Sequence, residues 1–320
     1  MISRHVAVRP LPVILPALRD ELLSSWIQRH AEYYGVSGGR MLRHLGPEAL
    51  SLRQLDFELT RGELHQLCHM FRCSHVTIRK MTQVQMGACR KAGLIATSRP
   101  MQVCGRCSSR HKTTQPTRGA RLRSWMEGWR VACPVCQAPL EDVRPCDLLT
   151  KVCATEPLLI GAADNARHGE LLMDRNLSKP RQVSQPLIEL MRILLLPRSQ
   201  VPGYRHFPTT IPRLLNIVVP GFDRYLHDHH PDFHRPATLL LTMSVRIPVL
   251  AGVFIVATQP SYWAERLLSS ADRRDWKRLM ASFRTLTTPG LQISSKPELG
   301  LVCDAQNWGS SDRDFLLIAA

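Results

Sequence analysis

Four of the ten cysteines form two Cys-x-x-Cys pairs, a spacing that is typical of metal sites. The pairs are Cys104 with Cys107 and Cys133 with Cys136. A structural Zn²⁺ ion takes four soft ligands at the corners of a tetrahedron, and the two pairs supply all four. Because four thiolates leave no coordination position for water, we predict a structural zinc site and not a catalytic one.

The segment between the pairs is expected to fold around the metal. Its 25 residues are somewhat more than the roughly 15–20 that are usual for this pattern. They leave room for a short helix, which we predict at residues 121–130. Trp125 and Trp129, four positions apart, would share the helix face that meets the cysteines. Metal binding would then order a basic segment that has little apolar core of its own.

Two further uses of cysteine stay open at this point. Cys146 and Cys153 could join His111 or His168 in a second metal site, although their spacing is irregular. A redox dithiol is the competing use of a single Cys-x-x-Cys pair. Two pairs in tandem favour the metal.

No set of residues predicts a catalytic centre. His168-Gly-Glu170 matches part of a zinc-deaminase motif, but it follows the cysteine pairs, which reverses the order of that motif. A metal-dependent nuclease is a distant alternative, carried by a cluster that we expect to be a solvated polar loop between prolines. Its members are Asp223, His227, Asp228, His229, His230, Asp232 and His234. Neither a Walker A loop nor a Gly-x-Ser-x-Gly elbow is present, so we predict that the protein is not an enzyme.

The chain also contains a pattern that is typical of a helix-turn-helix. Apolar residues over 63–71 predict one helix, a corner follows at 72–73, and Ser74 is placed to cap a second helix. Val76, Ile78 and Met81 are expected to face inward. In a DNA-binding version the second helix lies in the major groove. The predicted DNA contacts are His75, Thr77, Arg79 and Lys80, with Arg121 and Arg123 from the basic segment. A plain helical hairpin used for packing is the alternative.

Charge supports an acidic partner, most often nucleic acid. The net charge is +16 and the pI is about 10.0. Residues 79–130 contain 12 Lys or Arg against one acid, Glu127.

The overall pattern predicts a mainly α protein in three parts. These are a helical, helix-turn-helix domain at 1–96, a zinc-ribbon-like module at 97–150, and a mostly helical domain at 151–320. Asp20 is expected to cap the first helix, and further helices are predicted at 185–196, 211–219 and 262–283. The N-terminus has no secretory signal, and the apolar stretch 239–257 is interrupted by Arg246 and Pro248. We therefore expect a cytoplasmic protein without a membrane span.

Several runs in order along residues 8–145 resemble the TniQ family, which includes the TnsD-like target selectors of transposons. They are Pro10-Leu-Pro12, the run from Asp20 to Ile27 with Arg29, Asp56, the hairpin ending at Thr82, and Trp125, Trp129-Arg130 and Cys133-Pro134. Of these, the Glu-Leu-Leu-Ser-Ser-Trp and Trp-Arg-x-x-Cys-Pro runs are the more specific.

The resemblance implies transposition without catalysis. TniQ-like proteins are adaptors that choose an insertion site and connect target recognition to an AAA+ transposition regulator of the TniB or TnsC kind. In CRISPR-associated transposons the family docks, in some systems as a dimer, onto the RNA-guided Cascade complex. The implied partners are therefore such a regulator, target DNA or Cascade, and a second copy of the chain.

Two features depart from the family pattern. The second metal-binding pair often reads Cys-Pro-x-His in the family, whereas this chain has Cys136 as the fourth ligand. Many members also carry a second finger, for which only Cys146 and Cys153 are available. An autonomous zinc-containing helix-turn-helix transcriptional regulator is the alternative function.

Overall fold

The structure, a computed structural model, describes ten stretches of the chain. They are residues 9–49, 51–84, 102–113, 119–143, 156–177, 186–196, 213–231, 233, 241–271 and 273–287. Helices dominate these stretches, which confirms the predicted mainly α class. Both predicted domain boundaries, at 96–97 and 150–151, lie outside the described residues.

Five short helices form the N-terminal part. They are α1 (Leu23–Tyr33), α2 (Gly38–Leu45), α3 (Gln54–Phe57), α4 (Arg61–Met70) and α5 (His75–Lys80). Local signals set their ends: Ser37 caps α2, and Gly46 ends it with φ of 85°. Thr60 and Glu63 form a reciprocal capping box at the start of α4. The apolar faces of α1, α2, α4 and α5 share one buried core.

Asp20 does not cap α1, contrary to the prediction. It has φ of 63°, and α1 begins after Leu22 without a side-chain cap. The Asp20 carboxylate instead accepts a hydrogen bond from the backbone N–H of Ser124, at 3.1 Å. A partner 104 positions further along the chain thus outcompetes the nearest helix end.

The middle part contains the cysteine pairs and little regular structure. Strands β1 (Gln102–Val103) and β2 (Glu141–Asp142) pair antiparallel, and α6 (Gly105–Thr113) follows β1. The predicted helix at 121–130 is wrong, because only a 3-10 turn forms at Arg123–Met126. The preceding backbone is extended since Arg121 O accepts the N–H of Leu22 at 3.0 Å. Such pairing with another segment is incompatible with a continuous helix.

The C-terminal part is helical as predicted, with different boundaries. Its helices are α7 (Pro157–Leu177), α8 (Pro186–Leu194), α9 (Leu215–Val218), α10 (Phe222–His229), α11 (Met243–Thr258), α12 (Pro260–Ser270) and α13 (Arg273–Thr287). The predicted single helix at 262–283 is two helices, because Ala271 is extended, with φ −81° and ψ 150°. The helix α10 also replaces most of the polar loop that was expected around His227.

Helices α7 and α11 pack closely in the C-terminal part. A Cβ atom added at Gly169 on α7 would lie 2.3 Å from the carbonyl oxygen of Leu250 on α11, so the crossing requires glycine here. One buried core continues from these helices to Trp125, Trp129 and the cysteine pairs. Among the described helices none is long and apolar enough to cross a membrane alone; α11 and α12, which meet at 117°, pass that test only as a bent pair.

Candidate metal centre and its surroundings

The four predicted cysteines meet at one point. Their sulfur atoms all lie within 4.8 Å of one another, and three of the separations are 3.3, 3.5 and 3.8 Å. Zinc–sulfur bonds of about 2.3 Å place tetrahedral ligands about 3.8 Å apart, so the sulfur atoms fit one such ion. Within the described residues this is the one group of three or more metal-ligating side chains.

Each pair is presented by a tight local structure. Cys104 precedes α6 and Cys107 lies in its first turn, where the N–H of Cys107 points at the Cys104 sulfur at 3.4 Å. The second pair lies in a loop that Gln137 closes with φ of 61°. In that loop the N–H of Gln137 donates to Cys133 O at 2.8 Å. The short spacing within each pair therefore brings its own two thiols close together.

The thiols have unlike environments. Burial raises the pKa of Cys104 to about 11 and also raises the pKa of Cys107. Burial acts in the same direction on the half-buried Cys136, but the Ala138 N–H and neighbouring thiols outweigh it and lower its pKa to about 7. A bound cation would deprotonate its thiol ligands, so the donor set fits a soft divalent metal.

The family-like residues near the N-terminus form buried polar contacts. Glu21 binds the Arg29 guanidinium through both carboxylate oxygens, at 2.7 and 2.6 Å, and both side chains are buried. Asp56 accepts from the N–H of Ser24 at 2.9 Å and from its hydroxyl at 2.6 Å. The indole of Trp26 donates to Leu15 O at 2.9 Å. These side chains hold α1 to its neighbours, which is a structural role that sequence spacing did not reveal.

A second set of contacts attaches the N-terminal helices to the metal module, by which we mean residues 102–113 and 119–143. Arg123 pairs with Asp20 at 3.1 Å and also donates to Thr82 O at 3.3 Å. The hydroxyl of Ser25 accepts the N–H of Arg121 at 2.8 Å. Arg123, which was predicted to contact DNA, is thus engaged with protein groups, whereas the side chain of Arg121 is exposed.

A buried charge network attaches the metal module to α7. Arg130 lies 2.5 Å from Glu127, 3.1 Å from Glu170 and 2.8 Å from Asp174. Burial lowers the pKa of Arg130, but the three carboxylates outweigh burial and hold it above its ordinary value. The second oxygen of Glu170 accepts the N–H groups of Val131 and Ala132, both at 3.0 Å. Because these residues precede Cys133, α7 directly positions the second cysteine pair.

A second arginine attaches the module to α11. The fully buried Arg246 donates to Arg130 O at 2.8 Å, to Leu241 O at 2.6 Å and to the side-chain oxygen of Gln102. Burial lowers its pKa to about 10. The cost of burying this cation is offset by carbonyl acceptors on both sides of the interface. In the sequence, Arg246 is visible only as an interruption of an apolar run.

Helix α5 carries four of the residues that are predicted to contact DNA, and most of its residues are buried or exposed as expected. Ser74 caps it by accepting the N–H of Thr77 at 3.2 Å, and Ile78 and Met81 are buried. Val76, which was expected to face inward, is 58% exposed. His75, Arg79 and Lys80 are exposed, and Thr77 is half-buried. These residues share a surface that is open to a partner, and their contact with DNA stays a prediction.

Three of the other candidate ligands have protein contacts: Asp223, His229 and His230 each lie against a neighbouring side chain or backbone group. His229 lies 3.3 Å from Glu156, and His230 lies 2.9 Å from the hydroxyl of Ser244. The Asp223 carboxylate is buried and accepts the N–H of Arg213 at 3.1 and 3.0 Å. Asp232, His234, Cys146 and Cys153 lie outside the described residues.

Comparison with known proteins gives one match. The TniQ family model matches residues 12–142, a range that includes α1 to α6, the buried family-like contacts and the four cysteines. No curated protein and no solved structure matches the chain significantly. The match supports the resemblance seen in the Glu-Leu-Leu-Ser-Ser-Trp run and the second cysteine pair. Residues 12–142 are therefore a TniQ domain.

Proposed function

We propose that this protein is a non-catalytic adaptor of transposition that selects the target site. It would link target recognition, by DNA or by an RNA-guided Cascade complex, to an AAA+ transposition regulator. The TniQ domain is the observation that carries this proposal, because it associates the chain with transposition. The metal site adds to it: the four cysteine sulfur atoms lie within 4.8 Å of one another, so a zinc ion bound by all four would brace the fold and activate no water.

The arrangement of the contacts suits an adaptor. Arg123 and Ser25 attach the N-terminal helices to one side of the metal module, and Arg130 and Arg246 attach the C-terminal helices to another. A partner bound to the N-terminal or the C-terminal helices would therefore bind a part of the protein that the metal module connects to the other part. In this proposal zinc stabilises the connection, and the exposed surfaces of both ends are available to partners, including a second copy of the chain.

Co-purification tests the link to the regulator. The full-length, zinc-loaded protein should retain the AAA+ regulator of its own transposon in the presence of ATP and DNA. Val135 is exposed in the second cysteine pair and is not a ligand, so Val135→Ser should retain the regulator as the unaltered chain does. Failure to retain the regulator under these conditions would contradict the adaptor function.

An autonomous transcriptional regulator is the alternative, and the exposed face of α5 is the observation that favours it. Such a protein would bind one DNA sequence by itself, with affinity that falls steeply as salt rises. Replacing Arg79 and Lys80 by alanine would then abolish function. An adaptor that recognises its target through Cascade would tolerate the same change.

A further inference from the structure

The start of helix α12 presents an aromatic cluster at the surface. Tyr262 is 52% exposed, and its ring centroid lies 5.0 Å from that of Trp263, with the planes 80° apart. Leu267, one turn further on, is fully buried and anchors the helix in the C-terminal core. Trp263 is half-buried and packs against the same core, so it holds the exposed Tyr262 ring on a fixed surface.

Arg266 is held against both rings. Its guanidinium carbon lies 5.8 Å from the centroid of Tyr262 and 5.7 Å from that of Trp263. Its Nη1 donates to the hydroxyl of Tyr262 at 2.7 Å. Among the described residues no acid lies within ion-pair distance of Arg266. The side chain is exposed, so its planar cation is oriented by aromatic groups and open to an anionic partner.

The next helix, α13, adds groups of the same chemistry. Trp276 is 46% exposed, and Lys277 beside it is exposed. Leu279 and Phe283 are buried and fix this helix as well. Each of the two helices therefore exposes a large aromatic side chain and a cation close to it in sequence.

We propose that Tyr262, Trp263 and Arg266 bind single-stranded nucleic acid. Bases would stack on the exposed Tyr262 ring and on the guanidinium plane, and Arg266 of α12 and Lys277 of α13 would attract phosphates. Stacking on aromatic side chains is tolerant of sequence, and it requires bases whose faces are exposed. Duplex DNA keeps its base faces inside the stack, so this surface discriminates against duplex. A protein partner is the competing occupant, and the Arg266 guanidinium held against both rings favours the polyanion.

Fluorescence anisotropy with a labelled oligo-dT of about 20 nucleotides tests the proposal. The full-length, zinc-loaded protein carrying Tyr262→Ala and Arg266→Ala should bind the oligonucleotide at least about tenfold more weakly than the unaltered chain. Arg266→Lys keeps the charge but loses the plane, so it should give an intermediate loss. The matched control is Tyr33→Ala with Arg224→Ala, which removes an equally exposed tyrosine and an exposed arginine elsewhere. The control should bind as the unaltered chain does.

The proposal would be overturned if the Tyr262 and Arg266 variant bound the oligonucleotide as tightly as the unaltered chain. It would also be overturned if the control lost as much affinity as that variant. A third contrary result is a loss that circular dichroism traces to unfolding, together with full affinity in Arg266→Lys. Unchanged oligonucleotide binding with weaker retention of the AAA+ regulator would assign the surface to a protein. The proposal does not depend on the adaptor function. Oligonucleotide binding and retention of the AAA+ regulator are separate measurements on the same protein, so the two proposals can fail separately.

Discussion

Arg130 and Glu170 form an ion pair of 3.1 Å that connects the metal module to the long helix α7. The same carboxylate accepts the two backbone N–H groups that precede Cys133. The position of the second cysteine pair thus depends on a residue 37 positions beyond Cys133, in a part of the chain that the TniQ family match does not cover. The metal site and the C-terminal helices are therefore expected to stabilise each other.

Loss of one cysteine ligand should release the metal. We expect one zinc ion per chain in the purified protein and far less in Cys107→Ser, with a loss of more than about 3 kcal/mol in unfolding free energy. Cys68→Ser alters another buried, free cysteine outside the site and should keep its zinc. Elemental analysis with chemical unfolding provides the measurement. Equal zinc content in the two variants would contradict a site made by the four predicted cysteines.

Neutralising Glu170 should weaken the metal site from a distance. Glu170→Gln removes a buried carboxylate that compensates Arg130, at an expected cost of about 3–5 kcal/mol. Zinc affinity should fall about 10–100-fold, as it does when groups that orient metal ligands are removed. Asp174 also pairs with Arg130 but is 33% exposed, so Asp174→Asn should have a much smaller effect. Competition with a zinc chelator measures the zinc affinity of both variants. If Glu170→Gln bound zinc as tightly as the unaltered chain, the metal site would not depend on Glu170.

The α7–α11 crossing should not accept a larger residue than glycine. Gly169→Ala places a Cβ atom against the backbone of Leu250, so we expect a loss of about 1–3 kcal/mol in unfolding free energy. Gly62→Ala is the matched control, because Gly62 lies in α4 with open space around it. That change should be neutral or stabilising by up to about 1 kcal/mol. Thermal unfolding curves that rank the two variants in the opposite order would show that the helices are packed differently.

His30 should make stability fall in mild acid. It is fully buried and neutral, because Nε2 accepts the N–H of Leu15 and Nδ1 donates to Trp26 O. Burial lowers its pKa from 6.5 to about 4. The unfolded chain takes up a proton near pH 6.5 and the folded chain only near pH 4. The stabilisation is therefore complete above pH 6.5 and falls by up to about 3 kcal/mol as the pH drops to 4.

Chemical unfolding between pH 7.5 and 4.5 measures this effect. His30→Asn removes the titrating group, so the variant should lose less stability over this range than the unaltered chain. Protonation of the zinc ligands affects both proteins and cancels in the comparison. Identical pH slopes would exclude His30 as the source.

Features encoded by short segments were predictable from the sequence. The four cysteines follow from two local spacings, and the start of α5 follows from Ser74. The wrong predictions concern segments whose local structure is determined by contacts with residues distant in sequence. The Asp20 carboxylate accepts the N–H of Ser124 and does not cap the helix that follows it. The hydrogen bond between Leu22 N–H and Arg121 O prevents a continuous helix at 121–130. Nothing near Glu170 or Arg246 in sequence indicates that each binds the metal module.

Mapping insertion sites tests the adaptor function most directly. Transposition would be measured in cells that carry the complete transposon, with and without the gene for this protein, and insertions would be mapped by sequencing. The adaptor function predicts that insertions cluster at one target only when the protein is present, and that Cys107→Ser resembles the deletion whereas Cys68→Ser does not. Insertions of unchanged frequency and distribution in its absence would contradict it.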